Sequence, residues 1–165
     1  MKRFADLPHI VLRPLQDRPD ADWQQAPPGK WTPAQIVEHL ALALDWCATG
    51  FEERRARDPM IRRPSTVGQR VAKVVVMRLG WFPPFLKAPS RSTPAPHVDR
   101  AAAEAHFRRG VERNEELARL LLPARSRDLF VKHIRMGDLT LPEWLAFHVI
   151  HARHHARQIR ARLRR

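Results

Sequence analysis

Four of the chain's nine histidines fall in one stretch near its end, Phe147-His148-Val149-Ile150-His151-Ala152-Arg153-His154-His155-Ala156-Arg157-Gln158. Read as a helix, this stretch places His151 and His155 about 40° apart around the axis and about 6 Å apart along it. Both imidazoles then reach one point, as a ligand pair for a divalent cation must. His148 shares the face one turn earlier, and His154 points to its side. Imidazoles turned into an apolar interior need partners, because an unpaired buried polar group is costly, and a metal ion supplies one. A third ligand has to come from another element. His39, in Glu38-His39-Leu40, sits on or beside the inner stripe of an earlier helix; His9 and His97 lie in irregular stretches, and His106 and His133 have no paired neighbour. A three-histidine set with open positions is the arrangement of a catalytic site rather than a structural one. His148 is the predicted catalytic residue, read as a general base, a donor behind the ligands or a fourth ligand, with plain packing as the alternative. Spacing alone leaves two other readings open: a hydrogen-bonded core pair for His151 and His155, and a satisfied core histidine for His39.

The elements that must position these residues are marked by caps and prolines. Thr32-Pro33-Ala34-Gln35 combines an N-cap, a proline at the first helical position and a capping-box glutamine. The helix it opens is predicted to run to about Arg57, with Ile36, His39, Leu40, Ala43, Leu44, Cys47 and Phe51 on one stripe. A second helix is predicted from Ser65 or Thr66 to Leu79, with Val67, Val71, Val74, Val75 and Leu79 inward and Gly80 as its stop. The connection from Trp81 to Pro96 is too rich in proline for regular structure and too apolar to be solvated, so it is expected to pack, with Trp81 to Leu86 as an apolar pocket wall. A third helix is predicted from the Asp99 cap to about Leu122, ended by Pro123, with Ala102, Ala105, Phe107, Val111, Leu117, Leu120 and Leu121 as core. Residues 124–139 read as a connection, and Thr140-Leu141-Pro142-Glu143 opens the last helix with another capping box. Four amphipathic helices and no firm strand predict an all-α fold, a four-helix bundle over 31–165 in a single domain spanning 1–165. Residues 1–30, with Pro8, Pro14, Pro19, Pro27 and Pro28, read as an irregular lead-in holding at most a short helix near Asp20 to Gln25.

Composition narrows the function classes. Hydrophobic residues make up 44% and charged ones 28% of 165 residues, a globular balance that excludes disordered and collagen-like chains. One cysteine, Cys47, makes neither an internal disulfide nor a cysteine-rich zinc site and reads as a small buried hydrophobe. The first residues lack the apolar core of a secretory signal and no long apolar run occurs, so the expectation is a cytoplasmic protein without a membrane partner. The formal charge of +13 is spread as arginine from Arg3 to Arg165 without interleaved aromatic residues, a pattern of a solvated basic surface rather than a nucleic-acid site.

Three segments carry a family resemblance: Lys30-Trp31-Thr32-Pro33-Ala34-Gln35-Ile36-Val37-Glu38-His39-Leu40, Gly137-Asp138-Leu139-Thr140-Leu141-Pro142-Glu143-Trp144, and His151-Ala152-Arg153-His154-His155-Ala156-Arg157-Gln158-Ile159. In order and distance the chain from about residue 25 to 160 resembles the DinB-like superfamily, in its branch with a Gly-x-Leu-Thr-x-x-Glu-Trp entry to the last helix. The resemblance implies an up-down-down-up four-helix bundle, often a homodimer, with a divalent metal ion, zinc or nickel, on His39, His151 and His155. It departs where many members have Arg-Gly-Gln after the last ligand and this chain has Ala156-Arg157-Gln158. Superfamily members include S-transferases that use bacillithiol or mycothiol, a maleylpyruvate isomerase and metal-dependent hydrolases. The implied function is thus a metal-dependent enzyme, the ion acting as a Lewis acid for hydrolysis or thiol transfer on a small molecule. A low-molecular-weight thiol is an implied co-substrate, and Arg153 and Arg157 are candidates to attract an anion. The rival from another class is a non-catalytic metal-binding or interaction bundle whose basic surface contacts nucleic acid.

Overall fold

The computed structural model describes residues 2–83 and 87–164. Its helices are α1 (Lys2–Ala5), α2 (Leu7–Leu12), α3 (Asp20–Gln24), α4 (Pro33–Glu52), α5 (Val67–Leu79), α6 (Arg100–Arg125) and α7 (Leu141–Arg162), with strands β1 (Phe130–His133) and β2 (Gly137–Thr140) between α6 and α7. Local chemistry sets the helix starts. Thr32, Thr66 and Thr140 each accept a hydrogen bond from the backbone N–H three residues on, and the side chains of Gln35, Gln69 and Glu143 accept one in return from the backbone of the cap. Asp99 caps α6 through the Ala102 N–H.

The pure four-helix all-α bundle expected from the sequence is not what the chain forms. Between α6 and α7, in the stretch read as a connection, β1 and β2 pair antiparallel with Val131 opposite Leu139 and Lys132 opposite Asp138. Gly137 makes the turn with φ +76°, a left-handed conformation that a Cβ would strain. The hairpin is anchored at both ends: the Trp144 indole N–H donates to the Val131 carbonyl, and the Asp138 carboxylate receives the backbone and guanidinium N–H groups of Arg63. The lead-in is not irregular either. Residues 2–24 fold as α1, α2, a 3-10 turn at Arg13–Leu15 and α3, burying Phe4, Leu7, Val11, Leu12, Leu15 and Trp23 against α6, α7 and α4. Pro8 and Pro14 fall in the first turn of their helices, where the missing N–H leaves no bond unmade.

α4 and α6 form the most extensive helix pair. Their axes close in at Gly110, where an added Cβ would stand 3.1 Å from the Leu44 Cβ. The buried Asn114 amide donates across this seam to the Leu44 carbonyl at 3.0 Å. Some helix limits and faces differ from the periodic reading. α4 stops at Glu52 rather than near Arg57, and α6 carries Pro123 inside its last turn and ends at Arg125. Ala103, not Ala102, faces the core, and Leu120 faces solvent. In α5 the stripe expected to turn inward is largely exposed: Val67, Val71, Val74 and Leu79 are each more than half accessible, and only Val76 is buried. The connection after α5 does pack, its Ser90–Ser92 turn lying against α4. Among the described residues, no helix is long and apolar enough to cross a membrane.

Candidate metal centre

α4 and α7 bring their histidines to one place. His39 lies two turns into α4, on the same buried face as Ile36 and Leu40, and His151 and His155 lie one turn apart on the inner face of α7. The ligand-capable nitrogens of the three rings all fall within 4.8 Å of one another. The His151 Nε2 is 3.2 Å from the His39 Nε2 and 3.0 Å from the His155 Nε2.

At His39 and His155 the group on the far side of the ring bears on which nitrogen holds the proton. His39 Nδ1 lies 2.6 Å from the Ser92 carbonyl, which can only accept, so the His39 proton sits on Nδ1 and the Nε2 lone pair faces the cluster. His155 Nδ1 lies 2.9 Å from the Gln158 Oε1, and with the amide in this setting His155 donates from Nδ1 and its Nε2 faces the cluster as a lone pair. The His151 Nδ1 is buried with no hydrogen-bond partner among the described residues. Two lone pairs, and a third ring whose other nitrogen is unengaged, therefore converge where a single proton cannot serve all of them.

Electrostatics favours the same neutral state. At His39 burial pushes the pKa down, the Ser92 carbonyl partly opposes it and nearby His154 adds to it. At His151 burial acts with His155 and His39, and at His155 burial acts with His39 and His154, holding both well below the ordinary histidine range. Neutral imidazoles are the ligating form. Nitrogens bound at about 2.1 Å to one ion at angles of about 90–110° lie about 3.0–3.4 Å from each other, a range that includes the His151 separations of 3.2 Å from His39 and 3.0 Å from His155. The triad can bind a metal ion: the donor set, the tautomers and the spacing all fit.

Aromatic rings wall the centre. Trp31 lies against His39 with ring centroids 4.8 Å apart, Phe147 stacks on His151 at 5.1 Å, and Phe82 lies 5.6 Å from His151 and 4.7 Å from His154. Of the predicted wall from Trp81 to Leu86, Phe82 thus touches the site and Trp81 is half exposed, while Pro84, Phe85 and Leu86 lie outside the described residues. Two surface clefts, of about 530 Å³ between α2 and α6 and about 310 Å³ beside Gln24 and Arg162, contain none of the three histidines.

The predicted catalytic residue stands apart. His148 is not among the converging ligands; it is wedged between Phe4, Trp144 and Phe147. Burial, with His133 nearby, lowers its pKa to about 3, and its Nε2 has no hydrogen-bond partner among the described residues. Other histidines have local duties. His106 bridges Glu38 and Asp45 across the α4–α6 seam, and the His133 Nδ1 accepts from the Arg135 and Met136 backbone in the hairpin turn. Cys47 is fully buried, its thiol pushed up by burial, as an inert core group.

Sequence reasoning missed the groups behind the ligands. Ser92 acts through a main-chain carbonyl that no residue type announces. Gln158 contacts His155 and, through its Nε2 at 3.1 Å, His154; its spacing of three and four residues from those histidines was the available signal.

No curated protein and no solved structure is detectably similar to this chain. A family model described as a protein of unknown function, DUF1569, matches residues 18–162, and the chain belongs to that family.

Proposed function

We propose that the protein is a metal-dependent enzyme of the DinB-like type, with a divalent ion, zinc or nickel, on His39, His151 and His155. The observation that carries this reading is the pair of Nε2 lone pairs held toward one point by the Ser92 carbonyl and the Gln158 amide oxygen. Hydrogen-bonded core histidines would alternate donors and acceptors; here two acceptors face each other across His151. Three protein ligands, with no fourth among the described residues, leave room for an exchangeable position. An ion held there supplies Lewis-acid chemistry, lowering the pKa of a water or a thiol so that the nucleophile exists at neutral pH. The substrate class is a small molecule undergoing hydrolysis or thiol transfer.

The chain's own residues have definable parts. His39, His151 and His155 bind as neutral donors, the Trp31, Phe82 and Phe147 rings exclude water from three sides, and the net positive charge of +13 draws an anionic substrate or thiol toward the protein. His148 receives no proton-transfer role, because a base whose pKa is near 3 is poorly matched to neutral pH.

A non-catalytic metal-binding bundle is the second reading, favoured by the burial of all three histidines. Elemental analysis of protein purified without a histidine tag tests the ion: one per chain is expected, and its loss in each of His39→Ala, His151→Ala and His155→Ala. Retention of the ion in any of these variants removes that residue from the set. Adding a small thiol to cobalt-loaded protein separates the two readings. A new sulfur-to-metal charge-transfer band supports the enzyme, and an unchanged spectrum supports the closed structural site.

A further inference from the structure

The last helix places two further polar side chains, His154 and Gln158, beside the three histidines of the centre. Gln158 stands between two imidazoles: its Oε1 is 2.9 Å from the His155 Nδ1 and its Nε2 is 3.1 Å from the His154 Nε2. We propose that Gln158 is a positioning residue that locks His155 in the Nδ1–H tautomer, with His154 serving as the acceptor that keeps the Gln158 amide from turning over.

The argument is one of donor polarity. An amide has one accepting end and one donating end, so a glutamine between two rings has two settings. With the oxygen toward His155, the ring must donate from Nδ1 and its Nε2 lone pair faces His39 and His151. With the amide turned over, the NH₂ would face His155, the proton would move to Nε2, and that proton would occupy the place of an ion. His154 selects between the two. With its Nε2 as a lone pair, the setting this proposal assigns to it, His154 accepts from the Gln158 NH₂ at 3.1 Å and leaves the oxygen for His155. Phe82 lies against the His154 ring with centroids 4.7 Å apart and restrains its plane.

The other two ligands show why this position matters. His39 is oriented by a main-chain carbonyl, that of Ser92, which substitution at position 92 leaves in place. The His151 Nδ1 has no hydrogen-bond partner among the described residues. Among the described residues, Gln158 is therefore the side chain on which ligand orientation in this cluster rests. It also accounts for the fourth histidine of the stretch: His154 does not join the triad, yet it is linked to it through one amide.

This inference rests on the metal reading, and the experiment separates the two. Zinc affinity is measured by competition with a chromophoric chelator for the wild type, Gln158→Leu, Gln158→Glu and His154→Leu. The imidazole tautomers of the metal-free wild type are read from long-range ¹H–¹⁵N correlations. The expected results are an Nδ1–H tautomer at His155, an affinity loss of about 10- to 100-fold in Gln158→Leu, a smaller loss in His154→Leu, and affinity retained in Gln158→Glu, whose carboxylate still accepts from His155. Gln158→Leu binding zinc within twofold of the wild type overturns the proposal. An Nε2–H tautomer at His155 in the wild type overturns it without any variant having to fold. A wild type that binds no zinc but shows the Nδ1–H tautomer refutes the metal reading and leaves the role of Gln158 standing.

Discussion

Replacing His151 by leucine should separate a metal site from a hydrogen-bonded core, because the two make opposite demands on stability. In the metal-free protein His39 and His155 present Nε2 lone pairs, with their protons engaged by Ser92 and Gln158. His151 has one proton to offer. From Nε2 it satisfies the His155 nitrogen at 3.0 Å or the His39 nitrogen at 3.2 Å, not both, and its own Nδ1 is buried without a donor. Two buried acceptors thus lack a donor. After His151→Leu there are again two, on His39 and His155. The substitution costs one hydrogen bond, about 1 kcal/mol, and is offset by about 1–2 kcal/mol from an apolar side chain packed against Phe82 and Phe147. In the presence of a chelator the variant should therefore melt within about 1 kcal/mol of the wild type, or about 2–4 °C for a chain of this size. Zinc at about 100 times its dissociation constant stabilises a binding-competent chain by about 2.7 kcal/mol, raising the wild-type melting temperature by about 5–11 °C and the variant's not at all. Thermal melts of both proteins, with chelator and with zinc, read all four values. A variant destabilised by more than about 2 kcal/mol in chelator, the ordinary cost of emptying a well-satisfied buried site, would show that the histidines hold the fold together; equal stabilisation of both proteins by zinc would place the ion elsewhere.

Burial draws the His106 pKa down, but hydrogen bonds to Asp45 and Glu38 outweigh it, and the net shift is upward. The stabilisation from His106 is complete below the unfolded value of about 6.5 and is lost as pH rises through the folded value, while the buried histidines with lowered pKa values act alike in both proteins, so the excess of the wild-type urea midpoint over that of His106→Gln should shrink across that window; parallel profiles would contradict the ion bridge. α5, with only Val76 buried, should show the least amide protection of the long helices in native-state hydrogen exchange; protection equal to that of α4 would mean that its valine face is covered in solution.

What the sequence disclosed and what it withheld divide along the range of the interactions. The caps at Thr32, Thr66, Thr140 and Asp99 were legible because each is settled within four residues. The His151–His155 pair was legible for the same reason, and His39 because its neighbours Ile36 and Leu40 mark the inner face. The hairpin was not, since four-residue strands show too little alternation and this one depends on distant anchors, Arg63 to Asp138 and Trp144 to Val131. Nor were the N-terminal helices, which are too short to be stable alone and exist by burying Phe4, Val11 and Leu15 on α6 and α7. In α5 a clean apolar period was present and misled, because periodicity reports a face and not what covers it.

The same division runs through the site. Ligands are residue types, so they can be found by spacing, whereas their orientation is a property of hydrogen bonds whose far ends lie at any distance. For His39 that end is a carbonyl more than fifty residues away in a proline-rich turn, invisible to any motif. For His155 it lies three residues on, on a glutamine whose spacing marks a neighbour but not which end of its amide faces the ring. A histidine triad in a sequence is therefore an incomplete signal of a metal centre. The decisive feature is whether each ring has an acceptor behind it, and here two of the three do, which is what turns three neighbouring imidazoles into a set of lone pairs aimed at one point.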